Sequence, residues 1–251
     1  MTTKTSRSSA SATVAERYRR RIRPIAAALL LVPALAGAQV RVSPASDAAA
    51  AGMVDVQALA PSIRTEVRYA GSDNFTGAPV PGYEAARCLL LRPAAEALAR
   101  VQAALEEEGL GLLVYDCYRP VHSVQAFMRW AQAPDDPALK ARWYPRLDKN
   151  TLVPGYIADS SGHSRGATVD LTLVRCDAGA ACQPLDMGTP FDFFDPVANT
   201  DAPVAPQQRA NRDRLRAAME TAGFRNYPGE WWHYTLQPEP DATTAYDFPV
   251  R

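Results

Sequence analysis

The sequence predicts an α+β fold, a single domain with a central, mainly antiparallel sheet flanked by helices. Segments with strand-like and helix-like apolar spacing do not alternate regularly along the chain, as they would in a doubly wound parallel sheet. About 213 residues follow residue 38, which suits one large domain with one hydrophobic core. The sequence has no internal repeat and no long low-complexity segment, so a repeat architecture is not expected.

Residues 1–38 have the pattern of a secretory signal peptide. Five arginines between positions 17 and 23 precede an apolar stretch at 25–36, which is too short to span a bilayer as a helix. Ala36-Gly37-Ala38 then forms a small-x-small cleavage site. The alternative is a short amphipathic or membrane-anchoring helix. With cleavage, we expect a periplasmic or secreted protein that has no stable association with the membrane.

The remaining chain divides into a linker or N-terminal arm at 39–60 and a functional domain at 61–251. Segment 62–69 is predicted as an early strand or extended arm, and 74–79 as a turn. Apolar spacing predicts helices at 92–108, 121–131 and 207–222, and strands at 112–116, 168–174 and 231–236. Glycines end the first and third of these helices. Segments 133–160 and 176–206 are predicted to be irregular, and 246–248 to be a packed tail.

Charge argues against some partners. Seven of the 27 basic residues but only one of the 27 acidic residues lie in 1–38, so the rest of the chain has a net charge of −6. A mildly acidic domain is a poor candidate for binding nucleic acid or an anionic membrane. The sequence does not predict an oligomeric state.

The four cysteines are predicted to be structural. Export permits disulfides, and Cys176 and Cys182 are close enough in sequence to close a small loop, which would leave Cys88 and Cys117 as a second pair. Four cysteines allow three pairings, and the sequence does not choose among them. None has the Cys-x-x-Cys spacing of a structural zinc site.

Two short segments, 161–170 and 230–234, contain two of the three histidines of the chain. His163, Asp170 and His233 can supply three metal ligands. A hydrolytic zinc site needs three protein ligands, an open position for water and a free carboxylate. Any one histidine is more often a hydrogen-bonded structural residue, but the combination is much more specific. We therefore expect metal-assisted hydrolysis with one Zn²⁺ per chain.

Glu230 is the candidate for the free carboxylate, which would act as general base and then as general acid. It lies three residues before His233, so on a continuous strand the two side chains would point to opposite faces. Pro228-Gly229 predicts a bend that would remove this conflict. The two tryptophans after Glu230 favour a sheltered environment over the alternative of a surface glutamate.

Arg119 follows a predicted strand end, where it could bind a carbonyl oxygen or the oxyanion that forms from it. The alternative is a structural salt bridge with Asp116 or another acidic residue. The third histidine, His122, lies in a helical pattern and is expected to have a structural or solvent-exposed role.

With these residues identified, the chain resembles the D-alanyl-D-alanine dipeptidases associated with vancomycin resistance, within the wider group of zinc D,D-peptidases. The similarity runs from about residue 67 to residue 248. Its matching segments are 68–70, 73–77, 116–120, 161–172, 187–188, 191–193, 230–234 and 247–250. The segments Asn74-Phe75-Thr76-Gly77 and Phe191-Asp192-Phe193 are typical of the dipeptidase branch. One departure is Cys117, at a position where the family often has glycine.

The resemblance implies zinc held by His163, Asp170 and His233, an acid/base role for Glu230 and oxyanion stabilisation by Arg119. It also implies that three further residues hold the charged ends of a small D,D-dipeptide substrate: Tyr69, Ser161 and Asp192. Resistance dipeptidases act in the cytoplasm, so an exported relative would instead recover D-alanine from cell-wall turnover.

Two alternatives remain open from the sequence. A D,D-carboxypeptidase that trims peptidoglycan stem peptides would use the same residues in an open cleft. A zinc-containing wall-binding domain without turnover would not need a general base, and Glu230 argues against it.

Overall fold

The structure is a computed structural model, and it describes residues 1–3, 40–176 and 182–251. Its helices are α1 (Val56–Leu59), α2 (Arg92–Glu106), α3 (Val121–Gln132), α4 (Pro137–Trp143) and α5 (Pro206–Thr221). Its strands are β1 (Arg41–Val42), β2 (Met53–Asp55), β3 (Arg64–Thr65), β4 (Leu89–Leu91), β5 (Leu110–Asp116), β6 (Thr168–Arg175), β7 (Gln183–Pro184), β8 (Phe224–Asn226), β9 (His233–Leu236) and β10 (Thr244–Ala245). From residue 4 onward, the predicted signal peptide lies outside the described residues.

A six-stranded sheet forms the centre of the fold, with strand order β3-β5-β6-β9-β8 and with β7 paired to β6. The pairs β5–β6, β6–β9, β8–β9 and β6–β7 are antiparallel, and only the edge pair β3–β5 is parallel. The predicted α+β class with a mainly antiparallel sheet is confirmed.

The sheet is buried, and its two faces differ in chemistry. In β6, Val169, Leu171 and Leu173 are fully buried and alternate with Asp170 and Thr172. Because successive side chains of a strand point to opposite faces, one face of β6 is apolar and the other carries polar groups. Helix α2 contacts β5, and α5 contacts β6 and β8.

Within the segment predicted as a linker or N-terminal arm, residues 53–60 form short elements that pack on the rest of the domain. Strand β2 pairs antiparallel with β4, and Met53 and Val56 are buried. Asp55 caps α1 by accepting a hydrogen bond from the backbone N–H of Gln57. The terminal strands β1 and β10 pair in parallel.

The longer elements follow the sequence pattern closely, and the short ones do not. Helices α2, α3 and α5 lie within two residues of their predicted bounds, as do β5, β6 and β9. The early strand predicted for 62–69 is reduced to β3 and a 3₁₀ turn. Helix α4 lies in the segment predicted to be irregular, and β4 and β8 were not predicted. Each of these two strands has three residues, too few to show a period.

The cysteines form two disulfides, Cys88–Cys117 and Cys176–Cys182. The first is buried in the core. No helix in the described residues is both long and apolar enough to cross a membrane.

Gly166 turns the chain into β6 with a left-handed backbone, φ +74°. A Cβ there would lie 2.5 Å from Cε of Met53, whereas Gly109, at φ +69°, has open space around it. We expect Gly166→Ala to lower the free energy of unfolding by about 2 kcal/mol, because the flexible end of Met53 must move aside and Leu91 Cγ, 3.2 Å from the new Cβ, adds crowding to the left-handed backbone cost. Gly109→Ala should cost about 1 kcal/mol.

Urea unfolding of the two variants measures this difference, and Gly109→Ala is the control for backbone strain alone. Equal losses in the two variants would show that the packing of Met53 against Gly166 contributes nothing.

Candidate metal and catalytic site

Strand register brings three polar residues together on the central sheet. Asp116 at the end of β5 is the partner of Asp170 in β6, and Asp170 is the partner of His233 at the start of β9. The β5–β6 pairing is irregular between Val114 and Asp116. Three adjacent strands therefore each supply one functional group at the same level of the sheet.

His163 reaches the same place from a 3₁₀ turn at Gly162–Arg165, just before β6. The hydroxyl of Ser161 caps this turn by accepting a hydrogen bond from the backbone N–H of His163 at 3.2 Å. Gly162 is required by close packing, because a Cβ would lie 2.7 Å from Oγ1 of Thr168.

The three predicted ligands are near neighbours. Nε2 of His163 lies 3.2 Å from Oδ2 of Asp170, Nδ1 of His233 lies 3.0 Å from Oδ1 of Asp170, and the two histidine nitrogens are 3.3 Å apart. One ligand atom from each residue lies within 4.8 Å of the others. Two imidazole nitrogens and one carboxylate oxygen form a donor set that suits zinc.

Backbone contacts orient His163 for metal binding. Its Nδ1 lies 2.7 Å from the carbonyl oxygen of Cys117. A carbonyl can only accept, so Nδ1 carries the proton and Nε2 keeps its lone pair for a metal. Asp170 Oδ1 is buried and accepts no hydrogen bond of good geometry within the described chain. That free lone pair is a further feature that fits a bound cation.

Charge keeps Asp170 ionised. Burial would raise its pKa, but His163 and His233 outweigh burial, and the pKa lies below its usual range. An ionised carboxylate is the form that binds metal.

Glu230 lies in the bend before β9, as the Pro228-Gly229 pair predicted. Its backbone N–H donates to the carbonyl of Tyr227, and its Oε2 is 3.6 Å from Nδ1 of His233. Burial raises the pKa of Glu230 to about 7, with a further rise from Asp170 and opposition from His233 and Arg119. A carboxyl group with a pKa near neutrality can both take and give a proton.

Arg119 forms the predicted salt bridge with Asp116 and also lines the cavity. Its guanidinium lies 2.9 Å from Oδ2 of Asp116 and 3.6 Å from Oδ2 of Asp170. The ring of Tyr69 lies below it, with the guanidinium carbon 5.1 Å from the ring centre. Tyr83 donates to the other oxygen of Asp116 at 2.7 Å. Asp116 therefore holds the guanidinium at a fixed position.

Asp192 is an unusual residue at the other side of the site. It has φ +59°, a strained conformation for a residue other than glycine, and accepts a hydrogen bond from the Tyr69 hydroxyl at 2.9 Å. Burial, and then the charge of Asp170, raise the pKa of Asp192 well above its ordinary value.

All eight residues singled out from the sequence line one cavity of about 220 Å³. They are Tyr69, Arg119, Ser161, His163, Asp170, Asp192, Glu230 and His233. Segment 154–158 and the aromatic residues Phe75, Phe127, Phe194, Tyr227 and Trp232 form the remaining walls. His122 lies elsewhere, paired with Asp247.

Comparison with known proteins finds the same family that the sequence resembles. The family model described as D-Ala-D-Ala dipeptidase matches residues 49–251. The chain belongs to the D-Ala-D-Ala dipeptidase family. A D-alanyl-D-alanine dipeptidase of Streptomyces coelicolor is 45% identical, with 78% of this chain and 96% of the relative covered. The similarly named proteins of Enterococcus faecium and Escherichia coli are 40% and 37% identical, over 80% and 73% of this chain and 98% and 84% of theirs.

Membership of the dipeptidase family confirms the predicted enzyme class, a metallopeptidase with zinc as its cofactor. Sequence reasoning missed three contributors to the site. The sequence pattern predicts Asp116 only as an alternative partner of Arg119, and it predicts no role in the site for Tyr83 or segment 154–158. Asp116 could have been found from its position, since it is polar and ends a strand of apolar residues.

The Asp116 carboxylate should be important for stability, since it compensates a guanidinium that is only 13% exposed. We expect Asp116→Asn to lower the free energy of unfolding by about 3 kcal/mol, because it leaves Arg119 without its main anionic partner. Tyr83→Phe removes one hydrogen bond to the same carboxylate and should cost about 1.5 kcal/mol.

Chemical denaturation of both variants tests this order. A loss for Asp116→Asn no larger than that for Tyr83→Phe would mean that the ion pair with Arg119 adds nothing to stability.

Proposed function

We propose that this protein hydrolyses the D-alanyl-D-alanine dipeptide to two molecules of D-alanine. The observation that carries the proposal is that one small cavity gathers a three-ligand metal site, a carboxyl group with a pKa near 7 and a guanidinium. Family membership supports the same substrate.

His163, Asp170 and His233 would hold the zinc ion. Bound there, zinc would act as a Lewis acid that polarises the peptide carbonyl. It would also lower the pKa of water, so that a nucleophile can form near neutral pH. The protein contributes the fixed tautomer of His163, through the Cys117 carbonyl, and the ionised state of Asp170.

Glu230 would move the proton. It is buried and borders both the cavity and His233, so it can accept a proton from the attacking water and pass it to the leaving amine. Burial raises the pKa of Glu230 above that of an ordinary carboxyl group, which makes its carboxylate a stronger base for the first transfer.

Arg119 would stabilise the negative charge that develops on the carbonyl oxygen. Its position is fixed by Asp116 before substrate arrives, so little reorganisation is needed during the reaction. Tyr69, Ser161 and Asp192 would bind the charged ends of the dipeptide, since they line the same cavity.

The size of the cavity favours a free dipeptide over a peptidoglycan stem peptide. At about 220 Å³ it is smaller than the 300–1,000 Å³ that drug-sized ligands usually occupy. Segment 154–158 and Tyr227 border it, and the Tyr227 hydroxyl donates to the carbonyl of Gly155 at 3.4 Å.

We expect zinc-loaded protein to hydrolyse D-Ala-D-Ala and to leave a tripeptide ending in D-Ala-D-Ala essentially intact. Glu230→Gln should lower kcat by roughly 10²–10⁴-fold, because it removes the proton-transfer group. Release of D-alanine measures the activity, and bound zinc should stay near one per chain in the variant.

Glu84→Gln is the matched control, since Glu84 is an exposed glutamate paired with Arg251. Efficient cleavage of the tripeptide would reassign the protein as a carboxypeptidase. Tight binding of D-Ala-D-Ala without any Glu230-dependent cleavage would instead favour a non-catalytic wall-binding domain.

We propose further that the protein is exported and recovers D-alanine from cell-wall turnover. The pattern of residues 1–38 and the presence of two disulfides support this location, because disulfides persist in oxidising compartments.

Expression in a Gram-negative host should place a processed form, beginning at Gln39, in the periplasm. Leu30→Asp with Leu31→Asp interrupts the apolar stretch and should retain the precursor in the cytoplasm. N-terminal sequencing of each fraction measures both results. Processed protein found only in the cytoplasm would contradict export.

A further inference from the structure

The Cys88–Cys117 disulfide lies directly beside the metal site. Both cysteines are buried, with at most 1% of either residue exposed. Cys117 is also the residue whose carbonyl oxygen lies 2.7 Å from Nδ1 of His163. Asp116, which precedes Cys117 in the sequence, binds the Arg119 guanidinium. Tyr118 follows Cys117 and directly precedes Arg119.

Strand β4, next to Cys88, connects the two segments that form this hydrogen bond. The backbone N–H of Tyr118 donates to the carbonyl of Leu89 at 3.0 Å, and the backbone N–H of Leu91 donates to the carbonyl of Gly166 at 2.8 Å. Strand β4 therefore contacts both the segment that follows β5 and the end of the His163 turn.

The Cys88–Cys117 disulfide is the covalent link between β4 and the segment that follows β5, and the other contacts of β4 described above are hydrogen bonds. Arg119 adds one direct hydrogen bond between the two segments, from its backbone N–H to the His163 carbonyl at 3.4 Å. Cys88 is itself anchored, because its carbonyl accepts a hydrogen bond from the backbone N–H of Val56 at 2.9 Å. Without the Cys88–Cys117 bond, the Cys117 carbonyl would be held only by non-covalent contacts, namely these backbone hydrogen bonds and the side-chain hydrogen bonds of its neighbours Asp116 and Tyr118.

We propose that Cys88 and Cys117 are positioning residues for the metal site, and that their disulfide holds the Cys117 carbonyl against His163. The groups that orient a metal-bound histidine typically change metal affinity by 10–100-fold when they are disturbed. A misplaced Cys117 carbonyl would free the His163 ring to rotate or to change tautomer. This inference rests on the zinc site of the proposed function, and it makes that site dependent on an oxidised chain.

The second disulfide provides a matched control. Cys176 and Cys182 follow the far end of β6, six and twelve positions after Asp170. Neither residue lines the cavity. Removing this pair deletes the same chemical group from the same protein without touching the contacts of His163.

The test uses two double variants. The first carries both Cys88→Ala and Cys117→Ala, and the second carries both Cys176→Ala and Cys182→Ala. We expect the zinc dissociation constant, measured by competition with a chromophoric chelator, to rise roughly 10- to 100-fold in the first variant. It should stay within about twofold of the parent protein in the second. The imidazole N–H resonance of His163 in proton NMR, identified by its loss in His163→Ala, should broaden or shift only in the first variant.

Unchanged zinc affinity and an unchanged His163 resonance in a folded Cys88→Ala, Cys117→Ala protein would overturn the proposal. If that variant does not fold, the parent protein made in a reducing cytoplasm, with its two buried thiols counted after denaturation, replaces it in both measurements. Neither readout uses substrate. A parent protein that binds zinc but does not cleave D-Ala-D-Ala would refute the proposed function and leave this inference to be decided by the same two measurements.

Discussion

The register of three antiparallel strands is the constraint on which the site depends. Asp116, Asp170 and His233 are neighbours across β5, β6 and β9, so hydrogen bonding of the sheet places them together without help from loops. A slip of one residue would turn each side chain to the opposite face. The apolar residues that alternate with Asp170 in β6 prevent such a slip, because they would then leave the core. Core packing and metal geometry are therefore fixed by one pattern.

Burial of opposite charges is the second physical theme of the site. Four acidic residues of the site are each at most 9% exposed, namely Asp116, Asp170, Asp192 and Glu230. Arg119 is the cation that contacts two of them. Isolated buried carboxylates are costly, so they either pair or take up protons. Asp170 stays ionised beside the histidines, while the pKa of Asp192 and of Glu230 rises. A divalent cation is the remaining charge that this set accommodates.

The sequence was most informative where chemistry is concentrated in rare residues. Two of three histidines lie in short segments with acidic neighbours, and this pattern identified His163 and His233 without knowledge of the fold. Strands β4 and β8 and helix α4 escaped prediction because short elements are stabilised by tertiary contacts and not by their own period. Tyr83 acts through Asp116, and nothing in its local sequence marks this role, whereas Asp116 is marked only by its place at the end of an apolar strand. The cysteine pairing also depended on distances that only the fold supplies.

His163 is contacted by the backbone carbonyl of Cys117, so the Cys117 side chain is free to form the disulfide with Cys88. A carbonyl oxygen accepts the same hydrogen bond whatever side chain the residue carries, so position 117 can vary without loss of the acceptor. A cysteine there adds a covalent bond to Cys88 while leaving the acceptor in place. In a cytoplasm kept reducing by thiol systems such a bond would not persist, whereas an oxidising compartment maintains it. Any side chain at position 117 thus leaves a backbone acceptor for His163, but the covalent link to Cys88 that holds this acceptor in place forms only in an oxidising compartment.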